Sequence, residues 1–346
     1  MPRDPNEAPP REREIGGEEA LIAEYWAPLA ADFPGALGLK DDCAVIATPA
    51  GAELIVTTDA LIAGVHVLPG EDPCAIAWKA LAVNISDLVA KGATPLAYLM
   101  SVALPDAPER AWLASFAAGL AAAQQAFGCR LAGGDTDRTP GPLSVSITAF
   151  GTVPKGRMVL RTTAQPGDRV YVTGCIGDAA LGLALRRDPE LRARCKLDAA
   201  ARRDLDAHFS RPHPPVALVP ALGACASAAM DISDGLMKDF DRLCRASGVG
   251  GHIEAPHVPL SEPARAIIAA GGATLADLMS GGEDYEVLAC VPPARAGEFE
   301  RLADKAGTRV TCIGTIAAAA AGVVATDRAG QAVVFGKAGW DHFSRS

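Results

Sequence analysis

The chain has 346 residues, which is enough for two domains of roughly 150 residues each. Its net charge of −9 argues against a general nucleic-acid-binding surface, because such a surface needs clustered basic residues. The nine cysteines are scattered without a Cys-x-x-Cys pair and no apolar run reaches the ~20 residues of a membrane span, so we expect a cytoplasmic protein without a zinc or redox motif.

The first half of the chain predicts a mixture of helices and strands after an N-terminal tail. Residues 1–14 are rich in proline and charge, so we expect them to be disordered rather than a signal peptide. The elements predicted after this tail are strands at 53–57, 96–104 and 143–153 and helices at 73–91 and 109–127, the second ended by Gly128. This mixture predicts an α/β fold.

A break in the pattern at 153–157, Val-Pro-Lys-Gly-Arg, predicts the boundary between two domains at 15–153 and 154–346. Beyond it we predict strands at 169–173 and 285–291, helices at 179–187 and 235–247, and a hairpin formed by 323–326 and 331–335. The second helix carries Leu236, Phe240 and Leu243 on one face and is followed by Gly248, a typical stop signal.

Acidic residues accompanied by Ser, Thr or Gly recur where the apolar runs stop. The clusters are Lys40-Asp41-Asp42, Thr57-Thr58-Asp59, Ser86-Asp87, Gly133-Gly134-Asp135-Thr136, Asp231-Ile232-Ser233-Asp234 and Gly281-Gly282-Glu283-Asp284, with Asp137 and Asp178 as outliers. Mg²⁺ prefers hard oxygen ligands and bridges to substrate phosphates. The repetition of such clusters therefore indicates several ions and highly anionic reaction partners.

Each cluster also has a simpler explanation. Thr57-Thr58-Asp59 and Gly133-Gly134 could be ordinary turns, and Asp87 could lie on a solvent-facing side of its helix. A helix cap would explain one of Asp231 and Asp234, but not both. The residues alone leave these alternatives open.

Standard nucleotide-binding motifs are missing from the sequence. No Gly-x-Gly-x-x-Gly opens a helix, and the nearest approach to a P-loop, at 330–338, is one residue too long and lacks the Ser or Thr that would hold Mg²⁺. No Gly-x-Ser-x-Gly nucleophile elbow occurs either. If ATP is used, we expect its phosphates to be held mainly through metal ions.

The clusters lie in stretches that resemble the thiamine-monophosphate kinase family, which belongs to the aminoimidazole ribonucleotide synthetase-like (PurM-like) superfamily. The matching stretches are LKDDCAVI (39–46), TTDALIAGVHV (57–67), WKALAVNISDLVAKGATP (78–95), LAGGDTDR (131–138), 146–183, MDISDGLMKDFDRLCRASGVG (230–250), SGGEDYEVL (280–288) and GWDHF (339–343). They cover nearly the whole chain apart from the tail. The GVH and GWDHF elements separate this kinase from its relatives.

The resemblance implies a fold and a reaction. The fold would have an N-terminal α/β domain that binds ATP and Mg²⁺ and dimerises through its sheet, followed by a C-terminal α/β domain. The reaction would be the ATP-dependent phosphorylation of thiamine monophosphate to thiamine diphosphate, the last step of thiamine diphosphate biosynthesis. The expected partners are therefore ATP, thiamine monophosphate, several Mg²⁺ ions and a second copy of the chain.

The resemblance also implies roles for individual residues. The implied Mg²⁺ ligands are Asp41, Thr57, Thr58, Asp59, Asp87, Asp135, Asp231 and Asp234. The implied ATP contacts are Phe116, Gly134, Asp135, Arg161 and Ser233, and the implied thiamine phosphate contacts are His66, Glu283 and Trp340. The chain departs from the family pattern at Lys40, where the family usually has Gly, and at Val67, where it commonly has Phe.

The expected mechanism needs no catalytic base. A phosphate monoester has a second pKa of about 6, so its oxygen is largely deprotonated near neutral pH and can attack ATP directly in line. Two other functions remain open at this stage. One is an aminoimidazole ribonucleotide synthetase-type enzyme, in which ATP activates an amide oxygen, and the other is a non-catalytic sensor of Mg-nucleotide. His66 could also be an ordinary core histidine, and Trp340 could merely anchor the tail.

Overall fold

The computed structural model describes residues 17–105, 109–336 and 339. Their contacts divide the chain into two compact units, each assembled from three segments. The first unit comprises the described parts of 1–47, 58–81 and 97–148, and the second comprises those of 48–57, 82–96 and 149–346. The predicted domain boundary at 153 and the predicted disorder of residues 1–14 stay predictions, and the tail lies outside the described residues.

A four-stranded sheet is built from the first half of the chain. Its strands are β1 (Ala52–Ile62), β2 (Thr94–Leu104), β3 (Arg130–Arg138) and β4 (Ser144–Pro154), in the order β1-β4-β2-β3. β2 and β3 run parallel. β4 alternates buried and half-buried residues as its sequence predicts, with Val145, Ile147 and Ala149 pointing inward.

The two helices predicted in the first half are present, and short helical segments that were not predicted precede them. They are α1 (Glu18–Leu21), a π-helical turn (Ile22–Trp26), α2 (Ala27–Ala30), a 3₁₀ segment (Pro34–Leu39), α3 (Pro73–Ala90) and α4 (Arg110–Phe127). α4 ends at Gly128, whose left-handed φ of 74° suits a residue without Cβ. Among the described residues, α3 alone has the length and apolar composition of a membrane span, but 83% of that window is buried inside the protein, as in a core helix.

A six-stranded mixed sheet forms the centre of the second half. Its strands are β5 (Arg169–Thr173), β6 (Ala228–Ile232), β7 (Gly250–Glu254), β8 (Glu286–Val291), β9 (Val310–Ala317) and β10 (Val323–Thr326), in the order β10-β7-β9-β5-β8-β6. β7 and β10 are parallel, whereas β5, β6, β8 and β9 pair in antiparallel fashion. The predicted α/β class with mixed sheets is therefore confirmed.

The helices of the second half pack their apolar faces on this sheet or on one another. They are α5 (Asp178–Arg187), α6 (Pro189–Arg194), α7 (Ala199–Ser210), α8 (Val219–Cys225), α9 (Leu236–Ser247), α10 (Glu262–Ala269), α11 (Leu275–Ser280) and α12 (Pro293–Lys305), with short 3₁₀ segments at Val216–Leu218, Ala255–His257 and Ala319–Ala321. In α9, Leu236, Phe240 and Leu243 are completely buried in the main core, as their spacing predicts.

The predicted end of the first strand was wrong, and two other segments differ in extent from their sequence patterns. β1 continues to Ile62, so Thr57-Thr58-Asp59 lies within a strand instead of forming a turn after it. β3 likewise runs through Gly133-Gly134-Asp135 to Arg138, because pairing with β2 extends the strand. The predicted hairpin is shorter than expected, because its second arm is joined to the first by the antiparallel bridge between Thr326 and Ala332 and by hydrogen bonds from Asp327 N–H to the Gln331 carbonyl and from Val333 N–H to the Ala325 carbonyl, at 2.9 and 2.8 Å.

Candidate phosphate and metal site

Two carboxylates of the second unit, those of Asp87 and Asp231, each accept a hydrogen bond from a hydroxyl group. Asp231 lies near the end of β6 and is 8% exposed. The Ser86 hydroxyl donates a hydrogen bond of 3.0 Å to Asp231 Oδ2. The Thr57 hydroxyl donates a hydrogen bond of 2.6 Å to Asp87 Oδ2. Each carboxylate is thus oriented by a hydroxyl from another element, which holds both in defined positions.

The electrostatics of this pair favour an added cation. Burial raises the pKa of Asp231 well above its ordinary value, and the charges of Asp87 and Asp239 raise it further. Lys91 lowers the pKa of Asp231, but burial lowers the pKa of Lys91 itself to about 8. The Lys91 ammonium donates a 2.6 Å hydrogen bond to the Ala229 carbonyl. One lysine therefore faces several carboxylates at a site that is poorly solvated.

The turn at Ser233 and Asp234 connects β6 to α9. Both backbone N–H groups of this turn donate to Asp239 Oδ2, at 3.1 Å and 2.9 Å. Arg242 Nη1 lies 2.5 Å from Asp234 Oδ2 and 3.0 Å from Asp239 Oδ1. Burial raises the pKa of Asp239 to about 6. The turn is consequently tied to the first turn of the helix that follows it.

Three arginines line a cleft beside this turn. Arg161, Arg242 and Arg245, together with Ala246, line a cleft of about 610 Å³. The backbone of Arg161 is positioned by the Ser247 hydroxyl, which donates to its carbonyl at 3.0 Å. Arginine is suited to phosphate because its planar guanidinium can donate two parallel hydrogen bonds. The cleft can therefore receive a polyanion.

The loop that carries Glu283 is bonded directly to the same turn. The N–H of Glu283 donates to the Ser233 carbonyl and the N–H of Tyr285 donates to the Ile232 carbonyl, both at 2.8 Å. A Cβ on Gly282 would lie 2.6 Å from the Ser233 carbonyl oxygen, so only glycine allows this approach. Glu283 and Tyr285 have φ angles of 75° and 51°, a conformation that non-glycine residues adopt at a cost.

The acidic residues of the first unit are more exposed. Asp41 and Asp135 each accept a hydrogen bond from the N–H of the following residue, at 2.8 Å and 2.9 Å. Asp59 is exposed on β1. Thr58 lies beside it, donating to the Ile147 carbonyl and accepting from the Thr148 hydroxyl, both at 3.1 Å. Oxygen donors are thus presented along β1 and β3.

Gly134 is required by strand packing. Its φ is 156°, and a Cβ would lie only 1.8 Å from the Met100 carbonyl oxygen of the neighbouring strand. This contact explains why glycine precedes Asp135, and it replaces the tight turn that the sequence alone left open. The predicted ATP contact of Gly134 stays a prediction.

The remaining predicted residues have different surroundings. His66 Nδ1 accepts a 3.1 Å hydrogen bond from the Ile62 N–H, which places the proton of the neutral ring on Nε2. Phe116 is completely buried and stacks on Trp112 with ring centroids 5.0 Å apart. These contacts give Phe116 a packing role, and its predicted ATP contact stays a prediction. Trp340 lies outside the described residues, next to Gly339, where a Cβ would lie 2.7 Å from the Asp234 carbonyl oxygen.

The oxygen donors of the site are of the kind that Mg²⁺ binds. Within 17–105, 109–336 and 339, no three side chains of His, Cys, Asp or Glu converge as a ready-made metal site. The oriented carboxylates of Asp87 and Asp231, with neighbouring hydroxyls, are nevertheless the hard oxygen donors that Mg²⁺ uses, and Mg²⁺ keeps several water ligands of its own. The residues therefore fit Mg²⁺ bound by one or two carboxylates at a time.

Sequence reasoning missed Lys91, Asp239 and Arg242. In the sequence, Lys91 is a cation at the C-terminal end of a predicted helix. A cation is common there because it interacts favourably with the helix dipole, so the position does not indicate that the side chain is buried. Asp239 and Arg242 form an i, i+3 pair on α9 that looks like any exposed pair. A usable signal was the position of Asp239 in the first helical turn after a glycine, where an acid can accept N–H groups of the preceding loop.

Comparisons with known proteins agree with this arrangement. The family model described as AIR synthase related protein, N-terminal domain, matches residues 40–153, and that of the C-terminal domain matches residues 165–327. A thiamine-monophosphate kinase of Salmonella typhimurium is 38% identical over 329 residues, which are 95% of this chain and 98% of that protein.

Solved structures give the same result. A thiamine-monophosphate kinase from Stenotrophomonas maltophilia K279a is 34% identical with a TM-score of 0.80, covering 90% of this chain and 97% of that one. The structure of AaThiL complexed with AMPPCP and TMP is 30% identical with a TM-score of 0.73, covering 94% and 97%. The chain therefore belongs to the thiamine-monophosphate kinase family, within the AIR synthase related proteins.

Proposed function

We propose that this protein phosphorylates thiamine monophosphate with ATP, giving ADP and thiamine diphosphate. The observation that carries the proposal is the match to named thiamine-monophosphate kinases, which extends over 95% of the chain. The family models cover residues 40–153 and 165–327, which contain all the acidic clusters. The AaThiL structure, which was solved with AMPPCP and TMP together, supports the same pair of substrates.

The chemistry of the proposed reaction is a direct in-line transfer. An oxygen of the substrate phosphate attacks the γ-phosphorus of ATP, and the bond from that phosphorus to the bridging oxygen breaks to release ADP. The substrate phosphate is largely dianionic near neutral pH because its second pKa is about 6, so no protein base has to remove a proton. The obstacle is the repulsion between two polyanions.

The arginine cleft and the turn at Ser233 would reduce this repulsion on the nucleotide side. Arg161 would donate to ATP phosphate oxygens from the wall of the cleft, and Ser233 would donate from the turn. Asp135 and Gly134 would contact ATP from β3. The contact from Arg161 would orient the phosphates and offset part of their charge.

Magnesium is the proposed cofactor. The proposed ligands in the second unit are Thr57, Asp87, Asp231 and Asp234, and those in the first unit are Asp41, Thr58, Asp59 and Asp135. When bound, Mg²⁺ neutralises phosphate charge and orients both reactants. Asp87 and Asp231 are held for this role by the hydroxyls of Thr57 and Ser86.

Recognition of thiamine phosphate would come from His66, Glu283 and Trp340. The Glu283 carboxylate can pair with the cationic thiazolium, and the Trp340 indole can stack on a flat cationic ring. The left-handed backbone of Glu283, held by its bond to the Ser233 carbonyl, would fix the carboxylate beside the turn that binds ATP. Lys40 and Val67, which depart from the family pattern, stay without an assigned effect.

A homodimer is proposed from the exposed face of β1. This strand lies at the edge of the four-stranded sheet, and Leu54, Val56 and Ile62 expose 38%, 54% and 37% of their surfaces on alternate positions. An apolar edge strand of this kind invites pairing with another copy. Val56→Asp should convert the dimer to monomers in sedimentation experiments, and a wild-type chain that is already monomeric would refute the proposal.

The proposed location of the enzyme is the cytoplasm.

The direct test of function is ADP release with thiamine monophosphate, using thiamine as the control. We expect ADP and thiamine diphosphate in equal amounts with the monophosphate, and no reaction with thiamine, which lacks the attacking phosphate. Nucleotide binding without turnover would indicate a sensor. Turnover only with an amide-bearing ribonucleotide would indicate a synthetase.

A further inference from the structure

Asp239 is the one acidic residue of α9 that is completely buried, and the proposed reaction assigns it no contact. Its Oδ2 accepts the N–H groups of both Ser233 and Asp234. These are main-chain bonds, so the carboxylate fixes the backbone of the turn and does not use the side chains that would meet ATP and metal. Asp239 therefore affects the site through the backbone of the turn and not by contacting the ligands.

The second oxygen of the carboxylate links the turn to the arginine cleft. Arg242 Nη1 lies 3.0 Å from Asp239 Oδ1 and 2.5 Å from Asp234 Oδ2. The guanidinium therefore bridges a buried acid and an acid of the turn, while it also lines the cleft. Movement of Asp239 would change the positions of Asp234 and Arg242 together.

The opposite side of the turn is fixed by the backbone of the Glu283 loop. The carbonyls of Ile232 and Ser233 accept the N–H groups of Tyr285 and Glu283 at 2.8 Å. A Cβ on Gly235 would meet the Ser280 carbonyl oxygen at 2.6 Å, so the chain is tightly packed where the turn enters α9. The Glu283 loop thus binds the carbonyl groups of the turn, and Asp239 binds its N–H groups.

From this geometry we propose that Asp239 is a positioning residue, which holds the Ser233-Asp234 turn in the conformation that receives the phosphates of a metal-bound nucleoside triphosphate. The proposal rests on the proposed function for the identity of the ligand. An aspartate is required because one oxygen must accept two N–H groups while the other accepts from a guanidinium. An asparagine can satisfy the N–H groups only by turning its own NH₂ group toward Arg242, which is also a donor.

The test measures binding of AMPPCP with Mg²⁺ by calorimetry, at a temperature well below unfolding, and ATP turnover in parallel. Asp239→Asn should weaken AMPPCP binding roughly 10- to 100-fold, the range for loss of a group that orients a metal or phosphate ligand. The KM for ATP should rise more than the KM for thiamine monophosphate. Asp204→Asn, the same change at an exposed carboxylate of α7 away from the cleft, is the control and should stay within about twofold of the wild type.

Wild-type affinity in a folded Asp239→Asn protein would overturn the proposal, as would an equal loss in the control. A purely structural role predicts a lower melting temperature with unchanged affinity. If the asparagine variant does not fold, Asp239→Glu decides, because it keeps the charge but displaces the oxygens by one methylene and should still bind AMPPCP more weakly.

Amide hydrogen exchange of the wild type gives a measurement that needs no variant. The amides of Ser233 and Asp234 should be protected before any ligand is added, and exchange at the rate of an open loop would overturn the proposal. The two proposals fail in different ways. A wild type that binds AMPPCP but does not phosphorylate thiamine monophosphate refutes the function alone, whereas an active wild type with an unaffected Asp239→Asn variant refutes the positioning role alone.

Discussion

The acidic residues of the two units are held in different ways. In the second unit, Asp231 is buried and accepts a hydrogen bond from Ser86, and Asp87 accepts one from Thr57. In the first unit, Asp41 and Asp135 are exposed and accept hydrogen bonds from their own neighbouring N–H groups. The second unit therefore fixes its carboxylates before a ligand binds, whereas those of the first unit remain close to water.

Buried and exposed carboxylates are therefore expected to contribute differently to cation binding. A buried carboxylate that faces other acids is poorly solvated, and a cation relieves the repulsion. An exposed carboxylate loses hydration when it binds a cation, so it gains less. We therefore expect larger effects on activity from substitutions in the second unit, without a loss of stability in the metal-free protein.

The largest expected effect is that of Asp231→Asn. Loss of a preorganised charged group at a phosphoryl-transfer site should reduce kcat by roughly 100- to 1000-fold. The metal-free variant should melt no lower than the wild type, because the amide replaces a carboxyl whose ionised form is disfavoured by burial. Calorimetric melting in EDTA and ADP release measure the two effects. Retained activity, or a large loss of stability, would remove the basis of the comparison.

Asp59→Asn should have a smaller but still strong effect. We expect a drop in kcat of about 100-fold, with no change in melting temperature because the side chain is exposed on β1. Asp204→Asn, at another exposed acid on α7, is the matched control and should leave both quantities unchanged. Undiminished turnover in Asp59→Asn would confine the proposed metal chemistry to the second unit.

The smallest effect concerns pH and stability through Glu286. Burial, together with the charge of Asp178, raises the pKa of Glu286 to about 7, although its side chain also accepts a bond from Thr173. The folded protein keeps a proton that the unfolded chain releases near pH 4.5, so the stabilisation is fully present below that pH and is lost as pH rises to about 7.

The pH prediction is measured in the metal-free protein. The melting temperature of the wild type should fall between about pH 4.5 and 7, and Glu286→Gln should flatten part of that slope. Asp178, Asp231, Asp239 and Asp284, whose pKa values are also raised by burial, contribute to the slope that remains. Identical slopes in the two proteins would show that Glu286 is solvated as an ordinary surface acid.

Much of the fold could be predicted because local patterns and tertiary structure agree. β5 at Arg169–Thr173 and the glycine stops at Gly128 and Gly248 were all predicted correctly, and both glycines have left-handed φ angles. Prediction failed where sheet pairing decided the outcome. The residue types of Thr57-Thr58-Asp59 are typical of a turn. In the structure, however, β1 pairs with β4 and continues as a strand through these residues to Ile62.

The candidate site was only partly predictable for a related reason. The acidic clusters could be identified from residue types, but the contacts of Asp239 depend on the conformation of the turn before α9, and those of Lys91 depend on a segment distant in the chain. The Lys91 ammonium donates a hydrogen bond to the Ala229 carbonyl, and no residue near position 91 in the sequence indicates that contact. The burial of Phe116 follows from contacts of the same kind, because its stacking on Trp112 and its edge contact with Trp26 place it in the core, and its ATP contact stays a prediction.

The most direct test measures ADP formation from ATP and thiamine monophosphate as Mg²⁺ is restored to EDTA-treated enzyme, for the wild type and for Asp231→Asn. Our account predicts no wild-type turnover without Mg²⁺, full recovery when it is restored, and little recovery in the variant at any Mg²⁺ concentration. Wild-type turnover that survives complete removal of divalent cations, or a variant that recovers with the same Mg²⁺ dependence, would contradict it.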